Sequence, residues 1–119
     1  MLRAEIDAAR VRAASERKRV AVVFGADWCG DSRALEAALA DPLVAPVVDD
    51  GFVVVRADVG NRDRHLDVAG ELGIAYARGL PAVAVLEPDG RIVHADSALA
   101  RARSMSRAEI ASCFARWRR

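Results

Sequence analysis

The sequence predicts an α/β protein in which helices cover both faces of a mixed β-sheet. Segments with apolar residues at helical spacing alternate with short apolar runs, as in a chain that passes repeatedly from helix to buried strand. Pro81 precedes one of those runs, and the pair Asp89-Gly90 marks a tight hairpin after it. The length of 119 residues suits one domain with its own core, so we expect residues 1–119 to fold as a single domain.

The first half of the chain predicts a helix, a strand and two further helical pieces. The N-terminal helix, over roughly 3–17, has apolar residues at helical spacing: Leu2, Ile6, Ala9 and Ala13. The apolar run 20–24 is typical of a buried strand. A second helix begins near Cys29 and ends at Pro42, because a proline disrupts a continuing helix, and a short helical piece is expected around 43–49.

The second half predicts a strand, a helix, a hairpin and a closing helix. The apolar run 52–55 is the next buried strand, and the helix after it ends at Gly73. Residues 82–86 and 92–93 pair as a hairpin across the Asp-Gly turn. The closing helix is recognised by an apolar face of Ile110, Cys113, Phe114 and Trp117.

Composition and charge narrow the classes of partner. Charged residues make up 29% and hydrophobic residues 53%, which is a globular composition, and the net charge of +1 gives no reason to expect nucleic acid. No apolar stretch reaches the length of a membrane span, and the N-terminus lacks a signal-peptide core. We expect a monomer that is cytoplasmic as the sequence stands, or periplasmic if a signal segment has been removed. The arginines near the C-terminus are predicted to be solvated.

The loop Trp28-Cys29-Gly30-Asp31-Ser32 is the candidate functional site. A cysteine between a strand and a helix start lies where unpaired backbone N–H groups and the helix dipole favour a thiolate, which lowers its pKa. Ser32 is three residues further on, hence on the same helical face, and can donate a hydrogen bond to that thiolate without forming a disulfide. Asp31 suits the helix dipole but disfavours a neighbouring thiolate, and Arg33 is positioned to offset it.

Three separated features give the chain a resemblance to the thioredoxin fold: the Trp-Cys-Gly-Asp-Ser loop, Gly79-Leu80-Pro81 before a strand, and the Asp89-Gly90 hairpin. The sequence segments 24–29 and 58–61 are most similar to those of small bacterial thioredoxin-like proteins described as disulfide isomerases. The resemblance implies that Pro81 is a cis-proline beside the active-site cysteine and that Leu80 pairs with an extended substrate. It also implies that substrate contacts come from the loop residues Trp28, Gly30 and Asp31.

Two departures from that family limit the chemistry. Thioredoxins bury an acid six positions before the nucleophile, and Val23 stands there; their second cysteine is replaced by Ser32. Cys29 is therefore predicted to attack protein or glutathione disulfides and to be released by an outside thiol. Isomerisation and glutathione-dependent exchange both remain open, with glutathione as co-substrate and no resident cofactor. Ser32 is either native or a replacement of a resolving cysteine; nothing else in the chain looks engineered.

Other interpretations stay open beside this one. The domain could be a peptide-binding or chaperone-like module, or a carrier of iron–sulfur clusters of the monothiol glutaredoxin kind. Cys113 is predicted to be a small core residue. His65 and His94 are isolated and predict no metal site, and Asp27 with Asp31 fits either acid–base chemistry or solvent-facing charge.

Overall fold

A computed structural model describes all of residues 1–119 and has five helices and four strands. The helices are α1 Leu2–Glu16, α2 Gly30–Leu39, α3 Ala45–Gly51, α4 Leu66–Glu71 and α5 Arg107–Trp117. The strands are β1 Arg19–Gly25, β2 Phe52–Asp58, β3 Ala82–Leu86 and β4 Ile92–Asp96. Two short 3₁₀ turns, Tyr76–Arg78 and Ala102–Ser104, were not predicted. None of the helices has the length and apolar character that crossing a bilayer requires.

The four strands form one mixed sheet in the order β2-β1-β3-β4. β1 runs parallel to β2 and antiparallel to β3, so that Val22 lies between Val55 and Ala84. β4 returns antiparallel to β3 across the predicted Asp-Gly turn, where Gly90 has a φ of 95°. The central position of β1 matters for function, because the candidate site begins where this strand ends.

Both faces of the sheet are covered, as the sequence predicts. Successive side chains of a strand point to opposite faces. Val20, Val22 and Phe24 of β1 accordingly pack in a cluster with α1 and α4, whereas Ala21 and Val23 pack in a second cluster with α2, α3 and α5. All five side chains are buried. β1 is thus held between two cores, which fixes the position of the loop that follows it.

The breaks between elements follow from local chemistry. α4 is followed by Gly73 at a φ of 80°, a left-handed conformation that glycine adopts at no steric cost, and this confirms the predicted end of that helix. The N-terminal end of α5 is fixed by a capping box. Ser106 Oγ accepts a hydrogen bond from the Glu109 N–H at 3.0 Å, and a Glu109 carboxylate oxygen accepts one from the Ser106 N–H at 2.8 Å.

Removing the Ser106 side chain should weaken the start of α5. Ser106→Ala leaves the Glu109 N–H without its acceptor, and we expect it to lower the free energy of unfolding by about 1 kcal/mol in urea denaturation. Ser112→Ala is the matched control, since Ser112 is exposed within the same helix and should change stability by less than about 0.5 kcal/mol. Equal losses in both variants would contradict the capping assignment.

Candidate functional site

Cys29 occupies the junction between β1 and α2. It is the residue that caps the N-terminus of α2, with extended backbone angles of φ −92° and ψ 117°. Its N–H donates to the carbonyl of Ala26 at 3.1 Å, and its carbonyl accepts from the Arg33 N–H at 3.0 Å. The cysteine is therefore held by backbone hydrogen bonds on both sides, with its sulfur beside the first free N–H groups of the helix.

The sulfur of Cys29 faces the segment that precedes β3. Its Sγ lies 3.6 Å from the carbonyl oxygen of Leu80, close enough for a weak S–H donor, and the Leu80–Pro81 peptide bond is cis. Leu80 is buried, as is Pro81, whereas Cys29 itself is partly exposed. The structure thus brings together two predicted parts of the site that are 51 residues apart in sequence.

Ser32 is fixed between the end of β1 and the cysteine. Its Oγ accepts a hydrogen bond from the Ala26 N–H at 3.3 Å. A Cβ atom placed on Gly25 would lie 3.0 Å from the same oxygen, so the absence of a side chain at Gly25 makes room for the serine. Because its oxygen accepts from Ala26, the hydroxyl hydrogen of Ser32 is free to be donated to Cys29.

The pKa of the Cys29 thiol is lowered from its ordinary value by the balance of its surroundings. Partial burial is the largest influence and raises the pKa, but it is outweighed by hydrogen bonds that favour the thiolate. These come from the Ser32 side chain and from the backbone N–H groups of Ser32 and Asp31. The Asp31 carboxylate acts in the opposite sense and raises the pKa. The net direction is the one predicted from the helix start.

Asp31 binds a part of the chain that the sequence did not associate with the site. Its Oδ1 accepts a hydrogen bond from the Arg103 N–H at 2.9 Å. The Arg103 guanidinium lies so close to Gly30 that a Cβ atom there would be 2.8 Å from its Nη1. The Arg103 side chain is exposed, as predicted for the C-terminal arginines, but its place beside the active-site loop was not predicted. Arg33, expected to offset Asp31, instead donates to the carbonyl of Asp27 at 2.8 Å.

Trp28 links the loop to the segment after β2. Its indole Nε1 donates to the carbonyl of Gly60 at 2.7 Å, and the residue is 46% exposed. The Arg62 guanidinium lies 4.8 Å from the ring centroid, which is within cation–π range. Trp28 thus offers an apolar face beside the loop while its polar edge is anchored.

A cavity of about 530 Å³ opens beside Ser32 and Pro81. Val23 and Ala57, which are both buried, contribute its apolar wall. Its charged lining consists of Asp27, Arg33, Glu36, Arg56 and Asp58. Glu36 and Arg56 form an ion pair at 2.6 Å. The apolar wall carries no carboxylate, because the residue six positions before the cysteine is a valine.

The other singled-out residues lie away from this site. Cys113 is buried on α5 in the cluster on the opposite face of the sheet from the one against which Cys29 packs. His94 stacks on Trp117 with ring centroids 4.5 Å apart, and His65 stands at the N-terminus of α4. Nowhere do three histidine, cysteine or carboxylate side chains lie together in a way that could hold a metal ion.

Sequence reasoning missed Arg103 and Arg62 as neighbours of the loop. Arg103 reaches the loop through a contact between residues 72 apart, and Arg62 reaches Trp28 through the turn after β2. Neither contact leaves a periodic or motif signal. The similarity of segment 58–61 to thioredoxin-like proteins was the one signal that this turn belongs to the site. In the structure, Trp28 donates a hydrogen bond to the carbonyl of Gly60 in that segment.

Comparison with known proteins places this geometry in a family. Residues 1–88 match the model of a family described as thioredoxin-like. A disulphide isomerase from Xylella fastidiosa Temecula1 is 34% identical, with a TM-score of 0.91 over 97% of this chain and 89% of that one. The reduced C-terminal domain of DsbD from Neisseria meningitidis is 27% identical, with a TM-score of 0.70 over 97% and 96% of the two chains.

More distant structures share the fold alone. A thioredoxin from Thermus thermophilus is 21% identical, with a TM-score of 0.67 over 92% of this chain and 80% of that one. A comparison with curated protein sequences gives no significant match. The family match over residues 1–88 and the 34% identity to a structure of nearly the same extent agree with the fold. The chain therefore belongs to the thioredoxin-like family.

Proposed function

We propose that this protein catalyses thiol–disulfide exchange through Cys29 as its only reactive sulfur, as a disulfide isomerase or a glutathione-dependent oxidoreductase. Membership of the thioredoxin-like family, with a disulphide isomerase and a DsbD domain among its structural neighbours, supports thiol–disulfide oxidoreductase activity in general. Two observations together carry the finer proposal. The pKa of Cys29 is lowered, and position 32, where a dithiol protein needs its second sulfur, holds a serine hydroxyl.

The first step is attack by the Cys29 thiolate on a sulfur of the substrate disulfide. A bond forms between Cys29 Sγ and that sulfur, the substrate S–S bond breaks, and the other substrate sulfur leaves as a thiolate that takes up a proton from water. Ser32 stabilises the attacking thiolate by donating its hydroxyl. Since Ser32 has no sulfur, the mixed disulfide persists until a thiol of the substrate or glutathione attacks it.

The surroundings of Cys29 suit a protein or glutathione disulfide. The Leu80 carbonyl is 3.6 Å from the sulfur and can accept a hydrogen bond from the backbone of an extended substrate once the thiol proton has been lost. The exposed Trp28 ring gives apolar surface on the loop, and Gly30, beside the Arg103 guanidinium, is partly exposed. Pro81, directly after Leu80, bounds the site on the side away from the loop. We assign substrate contact to these residues and to Asp31.

Catalysis should depend on Cys29 and not on Cys113. Cys29→Ala should reduce cleavage of a glutathione mixed disulfide to the uncatalysed rate, because no other accessible sulfur replaces the nucleophile. Cys113→Ala is the matched control and should retain activity, since that thiol is buried on the far face. The readout is the rate of oxidised glutathione formation coupled to glutathione reductase. A Cys29→Ala protein that loses turnover but keeps affinity for unfolded peptide would favour a binding module instead.

Insulin reduction should require a second sulfur. The parent protein should reduce insulin at the background rate, whereas Ser32→Cys should gain measurable activity in the turbidity assay, because the added thiol could then displace the substrate within the same molecule. Ser112→Cys is a control that adds a thiol on the exposed side of α5. Insulin reduction by the parent protein would contradict the monothiol mechanism, and a brown iron-containing preparation would favour the cluster carrier.

The hydroxyl of Ser32 should hold the pKa of Cys29 down. Ser32→Ala removes the hydrogen bond that favours the thiolate, so the pKa of Cys29 should rise and alkylation by iodoacetamide should need a higher pH. The measurement is the pH dependence of the alkylation rate in a Cys113→Ala background. Ser15→Ala, on an exposed position of α1, should leave the profile unchanged. An unshifted profile for Ser32→Ala would show that the serine does not stabilise the thiolate.

Asp31 should act in the opposite direction. Asp31→Asn removes the negative charge that raises the pKa of Cys29, while its side-chain oxygen can still accept from the Arg103 N–H. The alkylation profile should therefore shift to lower pH. Asp7→Asn, an exposed carboxylate on α1, controls for the general loss of one negative charge. A shift to higher pH would mean that the link to Arg103 outweighs the charge.

A further inference from the structure

The charged cavity beside Ser32 is not used by the mechanism described so far. Its volume of about 530 Å³ falls within the range of roughly 300–1,000 Å³ typical of small-molecule sites. It touches the active-site loop at Ser32 and the segment before β3 at Pro81. It is therefore large enough for a small organic molecule and adjoins the residues that flank the nucleophile.

Its lining offers charges of both signs that lack a partner. Arg33 and Asp27 both line the cavity, and neither side chain has an oppositely charged group within ion-pair distance. Arg33 donates one guanidinium hydrogen bond to a backbone carbonyl, which leaves other N–H groups available. The Asp58 carboxylate adds a second negative group, with one oxygen accepting from the Gly60 N–H. Such a lining fits a ligand that carries both a carboxylate and an ammonium group.

The cavity comes nearest to the nucleophile at Ser32, the residue whose hydroxyl favours the Cys29 thiolate by a hydrogen bond. The Cys29 sulfur faces the Leu80 carbonyl, whereas the cavity reaches the loop at Ser32, one helical turn further on. In disulfide exchange the incoming sulfur approaches opposite the sulfur that leaves. If substrate is held on the Leu80 side, the thiol that displaces it has to approach from the Ser32 side, where no cysteine of this chain is available.

We propose that this cavity binds a small zwitterionic thiol, of the glutathione type, which acts as the missing resolving sulfur. Arg33 binds its carboxylate, and Asp27 with Asp58 binds its ammonium group. The inference rests on the proposed monothiol function and adds to it the site at which the second thiol binds and the residues that select it. The charged side chains of Arg33, Asp27 and Asp58 select the small thiol, and the residues around Ser32 direct the sulfur of that thiol towards Cys29.

Release consumes two molecules of the small thiol. The bound thiol loses its proton to water, and its sulfur attacks Cys29 Sγ in the mixed disulfide; the bond to the substrate sulfur breaks, and the substrate leaves as a thiolate that is then protonated. A second molecule of the same thiol attacks the small-thiol sulfur in the new mixed disulfide. This returns the Cys29 thiolate and gives one symmetrical disulfide, so the two small thiols are oxidised and one sulfur–sulfur bond of the substrate is reduced.

The test follows release from a preformed mixed disulfide. In a Cys113→Ala background, Cys29 is converted to its mixed disulfide with nitrothiobenzoate. The rate at which coloured nitrothiobenzoate is released is then measured with four thiols: glutathione, mercaptopropionate, cysteamine and 2-mercaptoethanol. Release by glutathione should saturate with concentration. Arg33→Gln should slow glutathione and mercaptopropionate by about tenfold, the scale of one lost charge-assisted hydrogen bond, and leave cysteamine and 2-mercaptoethanol unchanged. Asp27→Asn should slow glutathione and cysteamine but not mercaptopropionate.

Controls separate failure of the inference from failure of the proposed function. Arg91→Gln removes an exposed arginine at the β3–β4 turn and should leave all four rates unchanged. Linear dependence on glutathione concentration, or equal slowing of all four thiols by Arg33→Gln, would overturn the cavity as a thiol site while leaving monothiol exchange intact. Failure of Cys29 to accept nitrothiobenzoate, or of 2-mercaptoethanol to release it, would overturn both proposals.

Discussion

The hydrogen bond from the Ala26 N–H to Ser32 Oγ is the contact on which the site depends. It joins the residue that follows β1 to the first turn of α2 and, together with the backbone hydrogen bonds of Cys29 to Ala26 and Arg33, fixes where Cys29 stands between them. β1 can serve as the reference because its side chains are packed into cores on both faces of the sheet. The sulfur is thereby held at the helix start, and the serine hydroxyl that accepts from Ala26 has its hydrogen left for the thiolate.

That arrangement separates two roles that one residue performs in a dithiol protein. A second cysteine at position 32 would both stabilise the thiolate and attack the mixed disulfide. Ser32 retains the first role, because a hydroxyl donates a hydrogen bond, and loses the second, because oxygen cannot replace sulfur in exchange. Val23 is consistent with this loss. A buried carboxylate there would assist proton transfer to a resolving thiol, and with no such thiol in the chain the position is filled by an aliphatic side chain.

The sequence predicted what depends on local pattern. The strands, the mixed sheet with both faces covered, the end of α4 at Gly73 and the hairpin at Gly90 all follow from periodicity and turn chemistry, and the structure confirms them. The helix start at Cys29 could be predicted for the same reason. Contacts between distant segments could not. Arg103 approaches Gly30 because the 3₁₀ turn before α5 packs on α2. The residues of that turn form no pattern that indicates which helix they contact.

In the proposed monothiol mechanism, the lack of an internal resolving sulfur changes what controls the lifetime of the mixed disulfide. A resolving cysteine in the same molecule acts at an effective concentration far above that of any free thiol, up to about 10⁵–10⁸ M for well-oriented groups. A protein that acts through Cys29 alone, as proposed, would release its substrate at a rate set by an external thiol. A cavity next to Ser32 that holds such a thiol restores part of the lost advantage, because binding converts the attack into a step within one complex. The charged groups around that cavity would then set which thiol is used, while the groups around Cys29 set how readily the substrate is attacked.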